Sequence, residues 1–255
     1  NAAALGLDTN LITVFGSDDY GTRFKEDAYR RGIDISYSKQ LPDRKTSVYL
    51  YVNQGDGERI IGVDDMRINE FITPRFLEPR LAGINAGKAA IIDSNLPAET
   101  IRWLYDNVRV PMYAKAVSVT KTPRLLQDNL NLEGLVINGV EGSFMASVKI
   151  MDINDGKECA EKLYDIFKTR IYLYLDQMGM IMADRDGTLY HGYEPGLHVE
   201  NTNGVGASMT AALAYAQLRH ESLDDTLDLM IRIGGLTMAT GKSVSDRVGT
   251  LLENE

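Results

Sequence analysis

Apolar residues fall into short uninterrupted runs that alternate with stretches of helical period. Leu11–Phe15, Ala89–Ile92, Val110–Ala114, Gly134–Ile137 and Arg170–Leu175 read as buried strands. Pro97–Asn107, Arg124–Asn129, Asp155–Lys168, Ser208–Leu218 and Leu223–Thr240 read as helices. A loop at Gly16-Ser17-Asp18-Asp19-Tyr20-Gly21 opens a further helix through Arg31, which Gly32 stops. Asn1–Leu5 reads as the tail of a helix capped by Gly6. Ser47–Asn53 alternates and is rich in β-branched and aromatic residues; a turn at Gln54-Gly55-Asp56-Gly57 and a return over Glu58–Val63 make it a hairpin. Met180–Asp184, Asp186-Gly187 and Thr188–Gly192 make another. Short apolar strands alternating with helices predict an α/β fold with a mostly parallel sheet. The first hairpin interrupts that order, so residues 45–65 are expected to stand off the sheet as a β flap.

Composition narrows the function. At 255 residues the chain suits one large domain or two small ones, and 44% apolar with 25% charged residues is ordinary for a globular protein. The net charge of −9 argues against a broad nucleic-acid surface. The single Cys159 forms no internal disulfide, and one Cys with three His builds no Cys-rich zinc site. No apolar run reaches the roughly 18 residues of a membrane span, and no leader pattern is visible. The expectation is a soluble, cytoplasmic protein with small-molecule partners, no nucleic acid and no membrane. The chain begins with Asn1, which fits a trimmed natural protein.

The most informative segment for chemistry is Asn201-Thr202-Asn203-Gly204-Val205-Gly206-Ala207-Ser208, which leads into a helix of small residues. Two glycines one residue apart at a helix start permit a tight turn whose backbone N–H groups and helix dipole favour an anion such as phosphate. The plain alternative is a glycine-rich cap used for packing. Gly204-Val205-Gly206 lacks the third glycine of a dinucleotide fingerprint. Gly235 through Ser243 has one residue too many for a P-loop and follows a helix rather than a strand.

The same segment resembles the signature of the ribokinase-like (PfkB) carbohydrate and nucleoside kinases, D-T-T-G-A-G-D before a small-residue helix: Thr202, Gly204 and Gly206 match. Val14–Gly21 is similar to the V-G-x-D-x-x-G segment of that family, Asn138-Gly139-Val140-Glu141 to its N-x-x-E motif, and Leu175-Asp176-Gln177-Met178-Gly179 to its L-G-x-x-G loop. Lys45–Leu50, Ile61–Met66 with Ile72-Thr73-Pro74, and Val117-Ser118 with Lys121 resemble the pseudouridine-kinase branch. The resemblance implies a three-layer α/β sandwich and phosphoryl transfer from ATP to a nucleoside or sugar hydroxyl. It implies that Gly204, Val205 and Gly206 steady the transferring phosphate, and that Asn138, Asp176, Gly179 and Gly204 lie at the nucleotide. It implies Mg²⁺ at Asn138 and Glu141, leaves room for a monovalent cation, and permits a homodimer through the flap. Thr46, Ser47, Asp65, Asp93 and Asn95 become candidates for the substrate. Each has a bland reading as well. Thr46 and Ser47 are common strand formers, Asp65 suits a solvated turn, Asp93-Ser94-Asn95 suits a helix cap, and Asn138–Glu141 suits a strand-end turn.

Ala207 departs from the pattern, because the family's last Asp is its catalytic base and a methyl group accepts no proton. Both an Asp→Ala replacement made to trap a complex and a natural pseudokinase fit. Asp176, and Val136-Ile137 where the family has Lys-Pro, depart too. The family's first strand and its Gly-Gly segment have no counterpart, so the natural protein is expected to extend upstream. The rival reading is a non-catalytic ligand-binding protein on the same fold; a dinucleotide oxidoreductase is a distant third.

Overall fold

The computed structural model describes residues 1–53 and 59–251. The chain opens with a single helical turn in which Gly6 adopts φ +76° and the N–H groups of Gly6 and Leu7 reach Ala3 O and Ala2 O, the hydrogen bonds of a glycine-capped helix end. Next come β1 (Val14–Gly16), α1 (Asp19–Arg30), β2 (Lys39–Leu41), β3 (Val48–Asn53), β4 (Arg59–Asp65), α2 (Pro74–Leu77) and α3 (Leu81–Ala86). Then follow β5 (Ala90–Asp93), α4 (Ala98–Asn107), β6 (Met112–Lys115), β7 (Gly134–Asn138), α5 (Gly139–Ala146) and α6 (Ile153–Phe167). The chain ends with β8 (Ile171–Tyr174), β9 (Met180–Asp184), β10 (Gly187–His191), α7 (Val205–Leu218) and α8 (Leu223–Met238).

Six strands form the main sheet in the order β10-β9-β8-β7-β6-β5. β5 to β8 run parallel, and β9 and β10 add an antiparallel hairpin. Period-two alternation along the strands divides the core in two. Met112, Ala114, Leu135, Ile137 and Leu173 belong to one cluster with Ile101 and Leu104 of α4 and Cys159 and Leu163 of α6. Tyr113, Val136 and Tyr172 belong to the other, with Met209 and Leu213 of α7 and Leu227 and Met230 of α8. This is the expected three-layer, mostly parallel α/β sandwich.

β1 pairs with β2 in a small separate sheet, and β3 with β4 in another. The early hairpin therefore does leave the main sheet; its expected turn at residues 54–57 lies outside the described residues. On β5, at the sheet's edge, Ile91 is 46% exposed.

Two expectations are corrected. The helix expected over Arg124–Asn129 is a 3₁₀ turn over Thr122–Leu125, followed by irregular chain. There the Asn129 and Asn131 side chains donate to Arg102 O and Tyr105 O of α4, and Tyr105 Oη donates to Leu125 O, so side chains bind this segment to α4 in an irregular path. The strand expected over Leu11–Phe15 starts only at Val14, with an isolated bridge from Asn10 to Asp34 before it.

Candidate functional site

The carboxyl ends of β5 to β8 carry Asp93, Lys115, Asn138 and Tyr174, the edge where open α/β sheets bind ligands. The start of α7 meets that edge. Gly204 caps α7 at φ +96°, and a Cβ there would lie 2.2 Å from Ser243 O, so both backbone angle and space demand glycine. At Gly206 a Cβ would fall 2.1 Å from Lys115 Cε and 2.5 Å from Tyr174 Oη. The glycine turn thus abuts the Ser243 backbone on one side and the Lys115 side chain on the other. Val205 and Gly206 are buried, whereas Ala207 is exposed, so its methyl group stands where a longer side chain has room.

Lys115 escaped the sequence reading, in which it was only the residue after a short apolar run. Its side chain is 13% exposed and its ammonium lies 3.5 Å from Glu141 Oε2, itself on a side chain 4% exposed. The ammonium also donates to Ala116 O and sits 5.4 Å from the centre of the Tyr174 ring. Burial opposes the Lys115 charge, but Tyr174 and Glu141 outweigh it, so its pKa lies above the ordinary lysine value.

Asn138 and Glu141 form a capping box at the start of α5, a helix that the N-x-x-E spacing could have announced. Asn138 Oδ1 accepts from Glu141 N at 2.7 Å, and Glu141 Oε2 accepts from Asn138 N at 3.2 Å. A hard divalent cation needs several free oxygen ligands. Here the carboxylate faces an ammonium, the amide oxygen is spent on the cap, and among the described residues no three Asp, Glu, His or Cys gather as a metal cluster. As they stand, these residues do not fit a Mg²⁺ cage.

Asp176 takes φ +44°, the left-handed region that aspartate tolerates better than most residues, at the position where the resembling loop has glycine. It opens the connection between β8 and β9, in which Leu175 N donates to Gly179 O at 2.8 Å and Gly179 takes φ +105°.

The flap candidates cluster around two cavities. The first, of 340 Å³, is lined by Asp18, Tyr20, Lys45, Thr46, Val48 and Asp65. Thr46 Oγ1 donates to Asp18 Oδ1 at 2.6 Å and accepts from Gly16 N at 2.9 Å, so its hydroxyl already ties the flap to the start of α1. Ser47 stands beside it, half-buried. The second cavity, of 590 Å³, is lined by Asp64, Asp65, Arg67, Asn95, Lys121 and Arg124 among others. Arg67 grips Asp65 through Nε at 2.9 Å and Nη2 at 2.6 Å, and this pairing holds the carboxyl down at about 2. Lys121 Nζ bridges Asn95 Oδ1 at 3.0 Å and Asp64 Oδ2 at 3.3 Å. Asp93 Oδ1 accepts from Asn95 N at 2.7 Å, which makes Asp93 a turn former at the end of β5. The structure therefore gathers Asp65 and Asn95 at one cavity and Thr46 and Asp65 at the other, and neither cavity is lined by residues 204–207.

The chain as a whole is similar to known proteins. The profile of the pfkB family carbohydrate kinases covers residues 1–244. The chain belongs to that family. It is 27% identical over 216 residues to the pseudouridine kinase of Escherichia coli (strain K12), an alignment that covers 84% of this chain and 69% of that one. It is 23% identical over 242 residues to the uncharacterized sugar kinase YeiI of the same organism, covering 94% and 67%. Among solved structures, Arabidopsis thaliana ribokinase complexed with ribose and ATP superposes with TM-score 0.83 at 18% identity, over 98% of this chain and 83% of that one. As a member of this family the chain carries the ribokinase-like fold of a carbohydrate kinase. Among the described residues no helix is long and apolar enough to cross a membrane.

Proposed function

We propose that this protein binds ATP and a nucleoside or sugar, with pseudouridine the first substrate to test, and directs phosphoryl transfer to a substrate hydroxyl with a turnover limited by Ala207. The observation that carries the reading is the left-handed turn at Gly204, which opens α7 beside the carboxyl ends of β6 to β8 with Ala207 exposed. The first amides of a helix lack intrahelical acceptors, so the N–H groups of Val205, Gly206 and Ala207 suit the charge of a transferring phosphate. In the transfer the substrate oxygen bonds to the terminal phosphorus, the bond to the ADP oxygen breaks, and the hydroxyl proton must leave. Residue 207 offers no acceptor for that proton.

In this reading Asp176, Gly179 and Asn138 lie along the nucleotide, and Thr46, Ser47, Asp65, Asp93 and Asn95 line the substrate side under the flap. In this reading Mg²⁺ arrives with the nucleotide rather than from a cage made by Asn138 and Glu141. A cytoplasmic setting, where ATP is abundant, suits the same reading. The flap supports a homodimer: Leu50 pairs with Val63 and Val52 with Ile61, and all four expose more than half their surface on one face of the hairpin.

Ala207→Asp tests the reading. Supplying the base should raise kcat about 10²–10⁴-fold with ATP and the right substrate. A full panel of nucleosides and sugars with no gain in kcat would overturn it. The second reading, a binding protein that no longer transfers phosphate, is favoured by Ala207 itself; it predicts ligand binding by calorimetry but no turnover from Ala207→Asp.

A further inference from the structure

The larger cavity, at 590 Å³, has the size of a small-molecule site, about 300–1,000 Å³, and its charges are sorted by depth. On the flap side stand Asp64, Asp65, Arg67 and Glu70, all exposed. On the sheet side stand Lys121 and Arg124, both half-buried. Arg67 grips Asp65, and Glu70 adds its charge to the same arginine. Lys121 gives one N–H to Asn95 Oδ1 and one to Asp64 Oδ2, and keeps a third. Arg124 Nη1 donates to Asn95 O and Leu96 O, both at 3.3 Å, which anchors the side chain to the loop after β5. Among the described residues its Nε and Nη2 have no acceptor and no carboxylate pairs with it, unlike Arg67 and Lys121 in the same cavity. Pro97 and Ala98, in the same wall, open α4; Pro97 gives that helix no side-chain cap, so its end adds partial positive charge. The cavity is thus cationic and rich in donors within, and acidic at its rim.

We propose that this cavity binds the anionic end, a carboxylate or a phosphate, of a polyhydroxylated substrate, and that Arg124 and Lys121 select it. The proposal rests on the reading above that the substrate lies under the flap, and it narrows the nucleoside or sugar to one that carries such a group. A guanidinium anchored through one nitrogen keeps a planar pair of N–H donors, the geometry that matches two oxygens of a carboxylate or phosphate. A neutral ligand would leave the half-buried Arg124 charge without a counter-ion, a cost that an anion removes. Hydroxyls of the same ligand would meet the rim acids. Asp65 lines both cavities, so a ligand held at Arg124 extends past Asp65 toward Thr46 and Asp18.

Calorimetric titration without ATP decides the matter on wild type, Arg124→Gln and Arg124→Lys. The ligands are ribose, ribose 5-phosphate, glucose, gluconate and pseudouridine. Wild type should bind ribose 5-phosphate or gluconate at least about tenfold tighter than the three neutral ligands, the first result marking a phosphate end and the second a carboxylate. That preference should shrink as NaCl is raised. In Arg124→Gln each anion should bind within about threefold of its neutral counterpart. Arg124→Lys keeps the charge without the fork and should retain part of the preference. Neutral ligands that bind wild type as tightly as both anions overturn the proposal alone. So does a preference that survives in Arg124→Gln, as it would if Arg124 only anchored the loop after β5. Absence of binding by all five ligands overturns the substrate reading and this proposal with it. Should Arg124→Gln fail to fold by circular dichroism, Lys121→Met takes its place with the same expected loss of preference, and the wild-type comparison still decides.

Discussion

Asn53 at the end of β3 donates its side-chain amide to Asn201 Oδ1 at 3.1 Å, joining residues 148 positions apart. Asn203 Nδ2 returns a bond to Asn53 Oδ1 at 3.3 Å, and Asn201, 2% exposed, also reaches Lys242 O. The flap is thus tied to the residues that lead into the glycine turn. Removing the tie with Asn53→Ala deletes two hydrogen bonds worth about 0.5–1.5 kcal/mol each. Amide exchange in β3 and β4 should quicken by roughly tenfold while exchange in α7 stays as it was. Unchanged exchange in the hairpin would show that the asparagines hold nothing.

Gly204→Ala tests the turn from the backbone. The left-handed angle costs a side chain about 1–2 kcal/mol, and the contact with Ser243 O adds to it. The midpoint of thermal unfolding should drop by at least about 2 °C, and ATP binding should be lost. A variant that melts with the wild type would mean that the turn relaxes freely.

The Thr46 hydroxyl, through its bond to Asp18 Oδ1, is the main cause of an Asp18 pKa below the ordinary 3.8. A depressed folded-state pKa stabilises the fold above the unfolded value, and that contribution fades as pH falls through the folded one. Thr46→Val should therefore move the Asp18 titration, followed by NMR, back up toward 3.8 and flatten the acid limb of the stability profile. An Asp18 titration indifferent to the substitution would remove Thr46 from that role.

Cys159 lies fully buried on α6, and burial pushes its thiol up to about 11. At pH 8 roughly one thiol in a thousand is ionised. A disulfide reagent should leave the native protein unlabelled and react at one site once denaturant unfolds it. Rapid labelling of the native chain would contradict the packing of α6 on the sheet.

Much of this protein was written in short stretches of chain. The runs at Gly134–Ile137 and Arg170–Leu175, the small-residue helix after Gly206 and the second hairpin, whose turn falls at Arg185-Asp186 one residue before the expected Asp186-Gly187, each carry their own local preference, so strands, helices and the layered α/β order could be read one segment at a time. The family's motifs could be read for the same reason, since each is contiguous. Short or polar elements slipped through: β2 is three residues of Lys39, Gln40 and Leu41, and α5 begins inside the N-x-x-E motif itself.

What folding alone decided is who stands beside whom. Thr46, expected at a substrate, spends its hydroxyl on Asp18 and Gly16; Asp65 is gripped by Arg67; Glu141, expected at a metal, meets an ammonium 26 residues away in the chain. No local pattern marks Lys115, because a lysine ending a strand looks the same whether water or a buried carboxylate awaits it. Periodicity and turn chemistry act between near neighbours in the chain, whereas the charge and hydrogen-bond partners of a site are set by the packing of separate strands and helices against one another.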